Sequence, residues 1–252
     1  MNFDPLFYTV AALGVVLVGF SKAGFGGGIG FLGVLMMSVV ATPVQAVAVM
    51  LPVLCVLDPM GAWPYRRSWD RHCLIILMIG GTIGTIIGAL TFSLLNDSVI
   101  RLMVGGLTML FLLDQLWGRA RKAERRKPGD PAGIVLGVLG GFTSFVIHAG
   151  APPTTMYLIP QRLNKSVFVG TVAIYFFALN YMKIVPYAWL GLFNSDNLMM
   201  SLALMPFAPI GIWLGLKFHQ RISERWFYRV CYVFMFVAGI RLVFDGSRGI
   251  LG

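Results

Sequence analysis

Residues 21–30 read SKAGFGGGIG and residues 148–155 read HAGAPPTT, and each stretch interrupts an apolar run. Gly24, Gly26, Gly27, Gly28 and Gly30 make the first a poor helix, because glycine gives up the most backbone freedom on being ordered. Pro152 and Pro153 lack N–H donors and oppose helix continuation in the second. The two breaks occupy corresponding places. Gly19-Phe20-Ser21 matches Gly141-Phe142-Thr143 at an offset of 122, and Gly28 then matches Gly150. Further on, Gly84 and Gly88 match Gly211 and Gly215 at an offset of 127, as Asp97 matches Glu224. The chain reads as two related halves, each opening on a broken hairpin.

The solvent around these breaks follows from composition. Of 252 residues, 58% are hydrophobic and only 12% are charged, too little charge for the polar surface of a soluble domain. Runs such as 73–95 and 226–240 are almost unbroken apolar sequence. They are long enough, or nearly so, to cross a hydrocarbon core of about 30 Å as helices. Continuous runs exclude barrel strands, which alternate every second residue. Ten apolar segments are expected: 5–22, 29–42, 44–63, 73–95 and 99–117, then 132–148, 152–160, 166–190, 198–218 and 226–245. The halves are 1–118 and 132–252, joined by a basic linker at 119–131.

Charge sets the orientation. The linker holds six of the twenty Lys and Arg residues and is placed in the cytoplasm by the positive-inside rule. Alternation then brings Arg66, Arg67, Arg71, Lys217, Arg221, Arg225 and Arg229 to the same side. Arg162 and Lys165 join them if 132–160 is a hairpin that returns to its starting side. Both termini fall outside. Five segments per half, an odd number, make the halves run in opposite directions. The expected fold is an all-α integral membrane protein with two inverted-topology repeats, each a broken hairpin plus three transmembrane helices. Its expected location is a bacterial-type inner membrane, with lipid as its surroundings and self-association left open. Residues 5–22 lack a basic leader and are expected to be a mature segment.

Several classes drop out. Net charge is +10, but the basic residues cluster in short loops between apolar runs, so nucleic acid is not an expected partner. Cys55, Cys73 and Cys231 are isolated, with neither metal-ligand nor disulfide spacing, and no cofactor is expected. The chain has no G-x-x-x-x-G-K-[ST] motif for nucleotide. No nucleophile–base–acid set appears, so an enzyme is not expected. What remains is a secondary transporter or, alternatively, a membrane scaffold or accessory subunit. Inverted repeats with interrupted segments at matching places point to transport, with the site where the halves meet.

The breaks also suggest the chemistry. A helix that restarts after a break presents unbonded N–H groups and the positive end of its dipole to an anion. Lys22 and His148 stand at the two breaks, with Ser21, Thr143, Thr154 and Thr155 as hydroxyl donors. Lys22 is read either as a site residue or as a lysine reaching an interface, and His148 as a site residue or a structural histidine. Asp58, Asn180 and Lys183 are polar residues inside apolar runs, where ionisable groups are costly and mark function. Asn180 and Lys183 are candidate anion contacts and Asp58 a candidate proton carrier; a structural ion pair of Asp58 with Lys183 is the alternative. Gly84, Gly88, Gly211 and Gly215 are expected to serve close helix packing. Asp97 and Glu224 are expected at helix N-termini.

The second tip continues as HAGAPPTTMYLIPQRLNKSVFVGT over 148–171 and is followed by NYMKIVPYAWLGLFN at 180–194. Together with GFGGGIG at 24–30 and Pro43-Val44-Gln45-Ala46, these stretches resemble the sulfite exporter TauE/SafE family of membrane permeases. The resemblance implies a permease that moves sulfite, organosulfonates or related sulfur anions, commonly outward. The candidate anion contacts, read from the two tips and the polar residues of the apolar runs, are Ser21, Lys22, Gly26, Gly27, Gly28, His148, Gly150, Pro152, Thr154, Asn180 and Lys183. Ala151 departs from the glycine usual in the similar branch and narrows the tip by a methyl group.

Overall fold

The computed structural model describes residues 5–25, 30–121, 127–218 and 224–251, and every regular element among them is helical. The first half contains α1 (Pro5–Phe25), α2 (Leu32–Val40), α3 (Pro43–Ala62), α4 (Arg71–Thr91) and α5 (Asp97–Arg121). The second contains α6 (Asp130–Ile147), α7 (Ala151–Leu158), α8 (Lys165–Trp189), α9 (Ser195–Leu204), α10 (Phe207–Phe218) and α11 (Glu224–Leu251). Among the described residues, six stretches are long and apolar enough to cross a membrane. The segment expected at 198–218 is one of them, spanning Ser195–Lys217. Within it the helix is interrupted at Met205-Pro206, giving α9 and α10, because Pro206 cannot donate the hydrogen bond that would carry the helix on.

Local sequence explains where the long helices begin. The Thr42 hydroxyl accepts from Gln45 N at the start of α3, and Asn164 accepts from Val167 N at the start of α8. The two caps are 122 residues apart. Asp70 caps α4 through Cys73 N. Asp97 does lie in the first turn of α5, where the dipole favours it, but the capping bond comes from Asn96, which accepts from Val99 N. Glu224 opens α11, and its side chain lies outside the described residues.

Glycines fix how the halves join. A Cβ on Gly84 would collide with the Val138 carbonyl, and one on Gly88 would lie 2.8 Å from Phe145 Cβ, so α4 and α6 meet backbone to backbone. The same contact recurs between α1 and α10. A Cβ on Gly211 would lie 2.6 Å from Val16 O, and one on Gly215 would lie 3.0 Å from Ala23 Cβ. Val16 and Ala23 stand 122 residues before Val138 and Phe145. The glycines expected to serve packing therefore do so, in matched pairs, each pair joining one half to the other.

Polarity is reversed relative to a soluble protein. The outward face of α4 carries Ile79, Ile83, Ile86 and Leu90, all exposed. Ser21, Asp58, Ser144, His148, Thr154, Asn180 and Lys183 are buried. An exterior of this kind suits hydrocarbon, and the polar groups are gathered where protein can satisfy them. Two side-chain bonds gather the loops at one face of the bundle. His72 Nε2 lies 2.8 Å from Asp130 Oδ1, and Gln161 donates to Pro128 O at 3.1 Å. The α6–α7 hairpin thus returns to the face from which it started, the face that carries the linker.

Candidate functional site

The second tip is built by its backbone. His148 ends α6 with φ 54, in the left-handed region, where residues other than glycine are uncommon. Its N–H returns to Ser144 O and that of Ala149 to Thr143 O. The Thr143 hydroxyl also donates to Ala149 O at 3.0 Å. These bonds satisfy carbonyls that the end of α6 would otherwise leave open. Gly150 sits where a Cβ would meet Gly140 O at 2.7 Å and Phe176 at 2.8 Å. Only glycine lets the tip lie this close to α6 and α8. Pro152 and Pro153 occupy the first turn of α7. They remove two of the N–H groups expected to face an anion.

Both hairpins reach one cavity of about 50 Å³, lined by Lys22 and Gly30 from the first and by Ser144, His148 and Ala151 from the second. One water needs ~10–15 Å³, so several waters or one small oxyanion fit. The walls are Leu54, Asp58 and Gly61 of α3, with Val169, Val172, Ala173, Phe176 and Asn180 of α8. These wall residues come from the last part of α3 and the first two-thirds of α8. The cavity therefore lies toward the face carrying the basic loops. Beyond it, the opposite end is filled. Tyr187 donates to Phe145 O at 2.7 Å, and the rings of Phe92, Phe145, Tyr187 and Phe193 pack edge to face or tilted at 5.0–6.0 Å.

A continuous hydrogen-bonded path runs through the site. Lys22 Nζ forms an ion pair with Asp58 Oδ1. Asn180 Nδ2 donates to Asp58 Oδ2 at 2.6 Å. Lys183 Nζ donates to Asn180 Oδ1 at 2.8 Å and to both Ser144 O and Ser144 Oγ at 2.7 Å. It lies 3.2 Å from His148 Nδ1, whose other nitrogen lies 3.1 Å from Val47 O. Directions follow from chemistry. A carbonyl only accepts, so His148 Nε2 carries the proton and Nδ1 accepts from Lys183. A lysine amine only donates, so Asn180 turns its oxygen to Lys183 and its NH₂ to Asp58. Both carboxylate oxygens of Asp58 are thereby engaged.

Of the residues expected at the site, Lys22, Asp58, His148 and Asn180 line the cavity, and Lys183 stands behind it, fully buried. The Thr154 hydroxyl is turned to Gly150 O at 2.8 Å, and Pro152 shapes the tip without lining the space. Ser21 is buried, with no hydrogen-bond partner among the described residues. Gly26, Gly27 and Gly28 lie outside the described residues. The expected alternative of an Asp58–Lys183 ion pair is corrected. Lys22 pairs with Asp58, and Asn180 stands between Asp58 and Lys183. Ser144, Gly61 and Phe176 were not anticipated. The repeat offset was the available signal for two of them, since Ser144 is 122 residues beyond Lys22 and Gly61 is 122 before Lys183.

The family model described as sulfite exporter TauE/SafE matches residues 10–242. No curated protein and no solved structure matches.

Proposed function

The chain belongs to the sulfite exporter TauE/SafE family, and from that premise we propose that it is a secondary transporter exporting a small sulfur-containing anion, sulfite or an organosulfonate, by alternating access. The observation that carries this reading is the meeting of two broken hairpins at one polar cavity among otherwise apolar helices. A scaffold has no use for such a cavity. Lys22 pairs with the single carboxylate there, and Lys183 stands behind it across Asn180, a cationic excess that favours an incoming anion. The anion competes with Asp58 for Lys22. Asp58 is the only carboxylate among the described lining residues, and it is the group proposed to carry a coupled proton when Lys22 turns to the substrate. His148 and Asn180 form the floor. With the linker in the cytoplasm, the cavity faces inward, and a negative interior drives the anion out. The matched packing of α4 on α6 and of α1 on α10 supports two repeats of opposite direction, as this cycle requires.

Reconstitution in liposomes tests the reading, with uptake of sulfite measured against sulfoacetate, sulfate and chloride. Saturable uptake of one sulfur anion, lost in both Lys22→Ala and His148→Ala, is expected. Uptake that survives both substitutions would remove these side chains from the site. No uptake of any anion by folded protein would overturn the transport reading.

A further inference from the structure

The two third helices differ at one pair of equivalent positions. Gly61 in α3 and Lys183 in α8 are 122 residues apart, as are Asp58 and Asn180 one turn earlier. At Gly61 there is room: a Cβ there would meet only Lys22 Cβ, at 3.8 Å, and the residue lines the open cavity. At Lys183 there is none. The side chain is 0% exposed, and its amine holds Ser144 O, Ser144 Oγ and His148 Nδ1 on the α6 hairpin while also bonding Asn180 on its own helix. His148 continues the tie to α3 through Val47 O and lies against the Tyr187 ring at 6.1 Å. Val47 is the counterpart, at the same offset, of Val169. Val169 lines the cavity, whereas Val47 is 0% exposed.

We propose that Lys183, clamping Ser144 and His148 to α8, is the seal that closes the far side of the cavity, and that glycine at the equivalent place in α3 leaves the linker side open. One residue in each half then sets the face to which the resting protein opens. This rests on the alternating-access reading and names the contacts that must part for the other face to open. A lysine ammonium has three donors, and here they are shared among four protein acceptors. An arriving anion is itself an acceptor, so it competes with Ser144, His148 and Asn180 for the Lys183 donors and loosens the clamp from within the cavity.

Thiol labelling tests it without measuring transport. In a background with Cys55, Cys73 and Cys231 replaced by serine, single cysteines are placed at Val169 and at Val47. Each is challenged with a membrane-impermeant thiol reagent from either side, in intact cells and in inverted vesicles. With Lys183 present, V169C labels from one side and V47C from neither. With Lys183→Gly, V47C labels at least tenfold faster, from the side opposite to that which reaches V169C. Lys183→Met keeps most of the side-chain volume without the donors, and gives an intermediate rate if the glycine variant does not fold. The proposal is overturned if V47C stays protected in both variants while V169C still labels, or if V47C labels with Lys183 in place. Absence of sulfite uptake with the expected labelling intact would fault the proposed substrate and leave the seal standing.

Discussion

In the first half the lysine rides on the hairpin, at Lys22, and reaches a carboxylate on the third helix, Asp58. In the second half the lysine rides on the third helix, at Lys183, and reaches back to the hairpin, where it finds a hydroxyl, a carbonyl and an imidazole. The neutral Asn180 takes the place of the carboxylate and bonds its own counterpart across the halves. The two halves thus differ at three pairs of positions 122 residues apart. The first half holds a charge pair beside open space, and the second holds a filled polar knot. The comparison teaches that matched helix packing supplies the frame, while a few unmatched side chains decide which part of it is hollow.

Removing one charge breaks the comparison most sharply. Lys22→Met leaves Asp58 buried without its cation, which costs about 3–5 kcal/mol and appears as a large fall in melting temperature in detergent. The double variant Lys22→Met/Asp58→Asn recovers most of that stability but not anion uptake. The matching change in the second half, Ser144→Ala, costs about 1 kcal/mol, because the Ser144 carbonyl still holds Lys183.

Making the halves alike is the next test. Asn180→Asp sets a second carboxylate against Asp58, where the amide now donates at 2.6 Å. Like charges a few ångströms apart repel by several kcal/mol at protein-like dielectric, so uptake at low substrate falls about a hundredfold. Initial rates in proteoliposomes measure it.

Packing sharpens the comparison at a smaller scale. Gly84→Ala and Gly211→Ala each add a methyl group at a helix crossing, at about 1–3 kcal/mol. Gly84→Ala is the more costly, since its Cβ would collide with the Val138 carbonyl, whereas that of Gly211 would stop 2.6 Å from Val16 O. Thermal unfolding in detergent ranks the two. Smallest of all are the caps. Thr42→Ala and Asn164→Ala should cost about 1 kcal/mol each, nearly equal because both caps make the same bond.

Much of the frame was legible in the amino-acid sequence because membrane helices are long apolar runs and glycines mark where two backbones touch. The offset of 122 aligned the hairpins, and the cavity lies where they meet. The partner of Asp58 was not legible. Lys22 is 36 residues away, and only the crossing of α1 with α3 selects it over Lys183. Asn180 was visible as a polar residue in an apolar run, but its position between Asp58 and Lys183 depends on how α3 and α8 face each other. Pro206 was visible too, but the run around it reads as one apolar segment, and the helix break inside that segment was not expected.

The paired glycine contacts carry a consequence for how the chain is made. Neither half keeps its closest partners to itself: α4 lies on α6, and α1 lies on α10. α1 ends at Phe25, and α10 begins only at Phe207. At synthesis rates of 5–20 residues per second, α1 waits roughly 10–40 s for the helix that covers its glycine face. During that interval lipid or an insertion factor must stand in for α10, and a nascent chain stalled before Phe207 presents to the quality-control machinery a first hairpin with its packing face uncovered.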